Sequence, residues 1–118
     1  MFPRVVFDRS LPPAEISVLD AEPIRATVWL VGEVDGECAA ALAAELQRQR
    51  AASRRLVRVD MHSVTFLDSA ALGVLVDAHH RFLAMRGTLV LCGVSGVTMR
   101  LLRLTGMDRE LLHMPPVA

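Results

Sequence analysis

A short helix-to-strand link constrains this chain more than any motif. Residues 24–34 read as a strand whose centre, Thr27, Val28, Trp29, Leu30 and Val31, is β-branched or apolar on both faces. That pattern belongs to a strand covered by helices and by neighbouring strands. Asp35 then stands where a helix N-cap is expected, and residues 38–52 are rich in Ala, Leu, Gln, Glu and Arg, all good helix formers. Only Ser53, Arg54 and Arg55 separate this helix from the next apolar run, residues 56–61. So short a link makes the helix run back along the sheet, and the strand it leads into is predicted parallel to its predecessor.

The rest of the chain extends this unit. Residues 15–19 read as an earlier strand, joined antiparallel through turn chemistry at Asp20–Pro23. Residues 1–13 form a lead-in; Val5–Phe7 can lie against the body, but Pro12-Pro13 breaks anything regular. After a loop over residues 62–68, a second helix is predicted over residues 70–85, and Thr88–Cys92 is a strand. Ser95 caps a third helix over residues 96–105, with Val97, Leu101 and Leu104 on its apolar face. Gly106 stands at its left-handed end. Residues 107–114 return as a helical turn or an edge strand. The expected fold is a single α/β domain over residues 14–114, followed by a tail over 115–118. It has a mixed sheet of four to five strands packed with three to four helices.

The second helix draws attention to Ser69. At 100° per residue, Ser69, Gly73, Asp77, His80 and Ala84 fall within about 80° of one another. Leu72, Leu75, Val76, His79, Phe82 and Leu83 take the remaining sides. Ser69 therefore heads a narrow polar stripe in the first turn, beside Asp68, where either residue can cap the helix. Gly73 leaves the stripe flat one turn further on. A phosphate on Ser69 would gain from the helix amides and dipole but would stand against Asp68.

Other chemistries fit less well. Asp60, His62, Asp68, Ser69, His79 and His80 lie close in sequence, but there is no GxSxG elbow and no acid–histidine pair in triad roles. His79 and His80 are adjacent on a helix and no HExxH is present, so a metal site is not indicated. His79 reads as a core-edge histidine, and His62 as a residue shaping the loop beside Ser69. Gly93-Val94-Ser95-Gly96 follows a strand and opens a helix, which leaves an anion sensor as an alternative, without either phosphate-loop pattern. Thirteen basic and thirteen acidic residues cancel, so no broad phosphate-tracking field supports direct nucleic-acid binding. Cys38 and Cys92 form no CxxC and read as small buried hydrophobes in a reducing compartment. No apolar run reaches about eighteen residues and no signal-peptide pattern opens the chain, so a cytoplasmic protein without a membrane span is expected.

The run Val64-Thr65-Phe66-Leu67-Asp68-Ser69-Ala70-Ala71-Leu72-Gly73-Val74-Leu75, preceded by Asp60 and followed by His79–Arg81, resembles the signature of STAS domains, particularly the anti-sigma factor antagonists of bacteria. Gly32-Glu33-Val34-Asp35, Gly87–Leu91 and Leu104–Asp108 resemble three further family segments. The resemblance spans about residues 15–113. It implies a binding module rather than an enzyme, needing no cofactor, with Ser69 as phosphoacceptor for an anti-sigma factor that is a serine kinase. The unphosphorylated form would bind that partner and free a sigma factor; a serine phosphatase would restore it. Asp35 and Asp68 match positions lining the partner and phosphoacceptor region, and Gly73 matches a glycine on the recognition helix. The partner surface is thus expected to comprise Glu33, Asp35, Asp68, Ser69, Gly73, Asp77 and His80. Ala71, where the family often has Gly, and the absence of an Asn-x-Ser-Pro segment after Cys92 depart from the pattern. A scaffold or transport-accessory STAS domain without phosphorylation is the alternative within the fold.

Overall fold

The computed structural model describes residues 4–6, 15–21 and 24–112; the side chains of 4–6, 15, 17–21 and 97 lie outside the description. The elements run β1 (Arg4–Val6), β2 (Glu15–Ala21), β3 (Arg25–Val34), α1 (Gly36–Ala51), β4 (Leu56–Leu67), α2 (Ser69–Ala84), β5 (Thr88–Cys92), α3 (Gly96–Thr105) and α4 (Asp108–Leu112). The sheet has the order β1-β2-β3-β4-β5. β3, β4 and β5 form its three-stranded parallel part, and β2 and β1 extend it antiparallel. The fold is α/β with four helices. The parallel β3–β4 pair matches the reading of the short link.

Alternation decides which face is core. Val28, Leu30, Val57, Val59, Leu89 and Leu91 turn to one side and are buried in a single cluster with Leu42, Leu46, Leu72, Leu75 and Phe82 from α1 and α2. On the other side Thr27, Trp29 and Val31 are half-buried and Arg58 is exposed. Burying a side chain such as Phe82 or Leu75 contributes about 1.5–3 kcal/mol.

Several boundaries differ from the sequence reading, each for a packing reason. The lead-in supplies β1, because Arg4–Val6 pairs with Glu15–Ser17 of β2. β2 continues to Ala21, through part of the expected turn. The largest change is β4, which runs to Leu67 instead of ending at Met61. Extra residues in β4 shift the register so that Val31, Gly32, Glu33 and Val34 pair with Ser63, Val64, Phe66 and Leu67, and the expected loop is strand.

Helix faces also differ. On α1 the buried set is Cys38, Leu42, Glu45, Leu46 and Gln49, whereas Ala43 is exposed. Gln49 Nε2 donates to Glu45 Oε2 at 2.9 Å, partly satisfying the buried carboxylate. On α3, Thr98 and Leu102 are buried while Leu104 is 77% exposed. Leu83 of α2, assigned to a packed side, is exposed as well. Gly106 ends α3 at φ 74°, with its N–H donated to Arg103, as read from the sequence. The segment after Gly106 is helical, as α4; residues 113–118, including Pro115-Pro116, lie outside the described residues.

Candidate functional site

The C-terminal ends of β3 and β4 each feed a helix, and the two helix starts abut. Asp35 caps α1, its Oδ1 accepting the Glu37 N–H at 3.1 Å. Asp68 caps α2, its Oδ1 accepting the Ala71 N–H at 2.9 Å. The second Asp68 oxygen accepts the N–H of Gly36, the first residue of α1, also at 2.9 Å. One carboxylate thus satisfies donors at both helix starts, which otherwise leave four N–H groups each without partners. The Asp68 N–H donates to Val34 O at 3.3 Å, closing the junction through the strand ends.

Ser69 occupies the first helical position of α2, so the cap is Asp68 and Ser69 is spared that role. It is exposed, as are Ala70 and Gly73. Among the described residues nothing hydrogen-bonds its hydroxyl. The positive ends of two helix dipoles converge on this point, an environment that favours an added anion. The Asp68 carboxylate already there opposes it.

The expected surface divides on inspection. Ser69, Gly73 and Asp77 share the exposed stripe of α2, and Glu33 and Asp35 are half-exposed at the neighbouring strand end and α1 cap. Asp68 lies among them, but both its oxygens are engaged internally. His80 is exposed about 16 Å along the helix axis from Ser69 at 1.5 Å per residue, and its Nε2 lies 3.8 Å from Glu110 of α4. His79 is buried with Nε2 3.4 Å from the same carboxylate and Nδ1 unpaired; the two histidines face α4, not the Ser69 end. Among the described residues no cluster of His, Cys, Asp or Glu has the makings of a metal site.

Phe66 is a residue that sequence reasoning passed over. It pairs with Glu33 across β3 and β4 and is 45% exposed three residues before Ser69. Thr65 and Phe66 are both exposed between buried Val64 and Leu67, because Thr65 is an extra residue in the pairing with β3, which the sequence does not signal.

His62 corrects another expectation. It lies in β4, not in a loop beside Ser69, and its Nδ1 pairs with Asp60 Oδ1 at 2.8 Å. Burial pushes the Asp60 carboxyl up, but the side-chain and backbone hydrogen bonds from His62 outweigh it and hold Asp60 below its ordinary range. His62 also explains Gly93, whose φ is +68°; a Cβ there would lie 2.6 Å from His62 Cβ. The Gly93 turn is therefore shaped by packing on β4. Burial and the Asp60 charge push the Cys92 thiol up, with Arg58 opposing, which favours its thiol form. Cys38 is free and buried.

No described helix is long and apolar enough to cross a membrane. The family model for the STAS domain matches residues 18–117. The anti-sigma-B factor antagonist of Listeria monocytogenes is 27% identical over 93 residues, covering 79% of this chain and 82% of that protein. Among solved structures, an anti-sigma factor antagonist from Mycobacterium paratuberculosis superimposes with a TM-score of 0.72 at 23% identity, covering 98% of this chain and 88% of that one. The phosphorylated form of the Bacillus cell fate determinant SpoIIAA gives 0.69 at 14% identity, covering 85% and 91%. Helices fed from the ends of parallel strands, a junction closed by Asp68, and a family match over residues 18–117 together place this chain in the STAS domain family.

Proposed function

We propose that this protein is an anti-sigma factor antagonist, a binding module switched by phosphorylation of Ser69. Unphosphorylated, it binds an anti-sigma factor with serine kinase activity in the cytoplasm, and a sigma factor is released. The kinase moves the γ-phosphoryl of ATP onto Ser69 Oγ; ADP leaves and the hydroxyl proton passes to the kinase. A serine phosphatase reverses the step by hydrolysis. The protein contributes a substrate hydroxyl and a docking face, and catalyses nothing itself. That face is Ser69 with Gly73 and Asp77 on α2, flanked by Glu33, Asp35 and Phe66, with Asp68 holding the junction beneath.

The observation that carries this reading is the state of Ser69: exposed, unbonded and standing where two helix N-termini meet. The fold tolerates a dianion there because helix amides and dipoles favour it. A partner packed against the bare Ala70–Gly73 surface would have to bury that charge without compensation, so binding is lost.

Intact-mass measurement after incubation with each anti-sigma kinase of the source genome and ATP tests the assignment. One phosphoryl group, absent from Ser69→Ala, is expected from the cognate kinase. Ser69→Asp should weaken partner binding by calorimetry, and Ser69→Ala should keep it. Modification at another residue, or at none, removes Ser69 from the role.

A further inference from the structure

We propose that the groove between α1 and α2 binds a small amphipathic carboxylate, an apolar body carrying one anionic head. The groove has a volume of about 420 Å³, within the roughly 300–1,000 Å³ that ligand sites span. Its apolar lining is the exposed Ala43 of α1 and Ala70 of α2 with half-buried Val74, over the buried Leu46, Ala78 and Phe82. The groove shares Gly73 and Asp77 with the docking face proposed above, but its ligand does not require Ser69 to be phosphorylated.

The polar groups of the groove indicate which head it selects. Arg50 and Arg81 come from facing helices, and each is held by its own helix. Arg50 donates to Gln47 Oε1, at 3.0 Å from Nε, and Arg81 Nε donates to Asp77 Oδ2 at 2.7 Å. Held this way, the guanidiniums lose little further freedom on binding and retain N–H donors, of which each has five. Asp77 is the one acid among the lining residues, so two cations face one anion and a carboxylate head is favoured there. A neutral or cationic head gains nothing from the pair.

Gly73 supplies an independent observation. A helix-interior glycine costs about 1 kcal/mol relative to alanine, and tight packing is the usual compensation. Here a Cβ would meet nothing within 4 Å. The missing side chain makes room for no part of this chain, and it leaves the floor of the groove open. Gly73 to Arg81 spans about 12 Å at 1.5 Å per residue, room for a short alkyl body with its head at the arginines.

The test uses the full chain, ¹⁵N-labelled and titrated with decanoate, with decanol and decylammonium as neutral and cationic matches. Saturable shifts are expected for decanoate at the amides of Leu46, Gly73, Val74 and Ala78, with decanol weaker by about tenfold or more and decylammonium weaker again. Gly73→Leu should abolish the saturable response without lowering the unfolding midpoint. Arg50→Gln should weaken binding about tenfold, whereas Asp77→Asn, which releases Arg81 from its acid, should tighten it. The proposal is overturned by an equal response to all three probes, which would mean an adventitious additive only. It falls equally if decanoate gives no saturable response or if Gly73→Leu keeps wild-type affinity.

Discussion

Asp68 and Ser69 are neighbours with opposite physical duties. Asp68 is half-buried and spends both carboxylate oxygens on backbone donors of two helices; Ser69 is exposed and spends nothing. Asp68→Ala removes a cap worth about 0.5–2 kcal/mol and also frees the Gly36 N–H. Urea unfolding should therefore show a loss of about 2 kcal/mol, whereas Ser69→Ala should stay within about 0.5 kcal/mol. Asp60 gives a second test at this scale. Its carboxyl is depressed in the folded state by His62, so its contribution to stability is present above the unfolded value of about 3.9 and is lost as pH falls through the lowered folded value. His62→Ala should be less stable than wild type at pH 6, and the difference should close below about pH 4, as read from urea midpoints across that range. A constant difference down to pH 2 would show that the pair has no linkage.

At the scale of elements, two glycines with similar sequence surroundings do opposite things. Gly93 is required by geometry, because its left-handed φ and the 2.6 Å approach to His62 exclude any Cβ. Gly93→Ala should cost about 2 kcal/mol or more. Gly73 has open space around it, so Gly73→Ala should raise stability by up to about 1 kcal/mol. Thermal or urea unfolding of the two variants should move in opposite directions. Both glycines were visible in the sequence beside a helix start or within a helix. Local pattern could not separate them, because what touches a glycine is decided by the strand that packs on it. The same limit explains β4. His62, Ser63 and Thr65 look like loop residues, and only the pairing of a bulged β4 with the end of β3 makes them strand.

Across the whole molecule, net neutrality hides a polarised charge distribution. Glu33, Asp35, Glu37 and Asp68 gather where β3 and β4 end and α1 and α2 begin, whereas Arg25, Arg54, Arg55 and Arg86 gather where the parallel strands begin. The end carrying Ser69 is acidic, so the anti-sigma factor surface proposed to meet it should be basic. Association should slow as salt is raised from about 0.05 M to about 0.5 M, where the screening length falls well below 10 Å, with dissociation changing less. Stopped-flow association rates at several ionic strengths measure this, and a rate independent of salt would exclude a steered encounter.

Much of this was legible from local pattern. The parallel β3–β4 pair followed from a three-residue link, the caps Asp35 and Gly106 from turn chemistry, and the exposed stripe Ser69, Gly73 and Asp77 from a period of 3.6. These depend on interactions between residues close along the chain, which sequence spacing encodes. What only the tertiary structure decided is long-range. Asp68 reaching Gly36 across 32 residues, His62 filling the space at Gly93, and His79 and His80 turning to Glu110 all depend on how separate elements dock. Ser69 was conspicuous by its position in the sequence. Its hydroxyl is unbonded because the aspartate before it, placed by the junction of two helices, already serves the donors that a capping serine would otherwise have served.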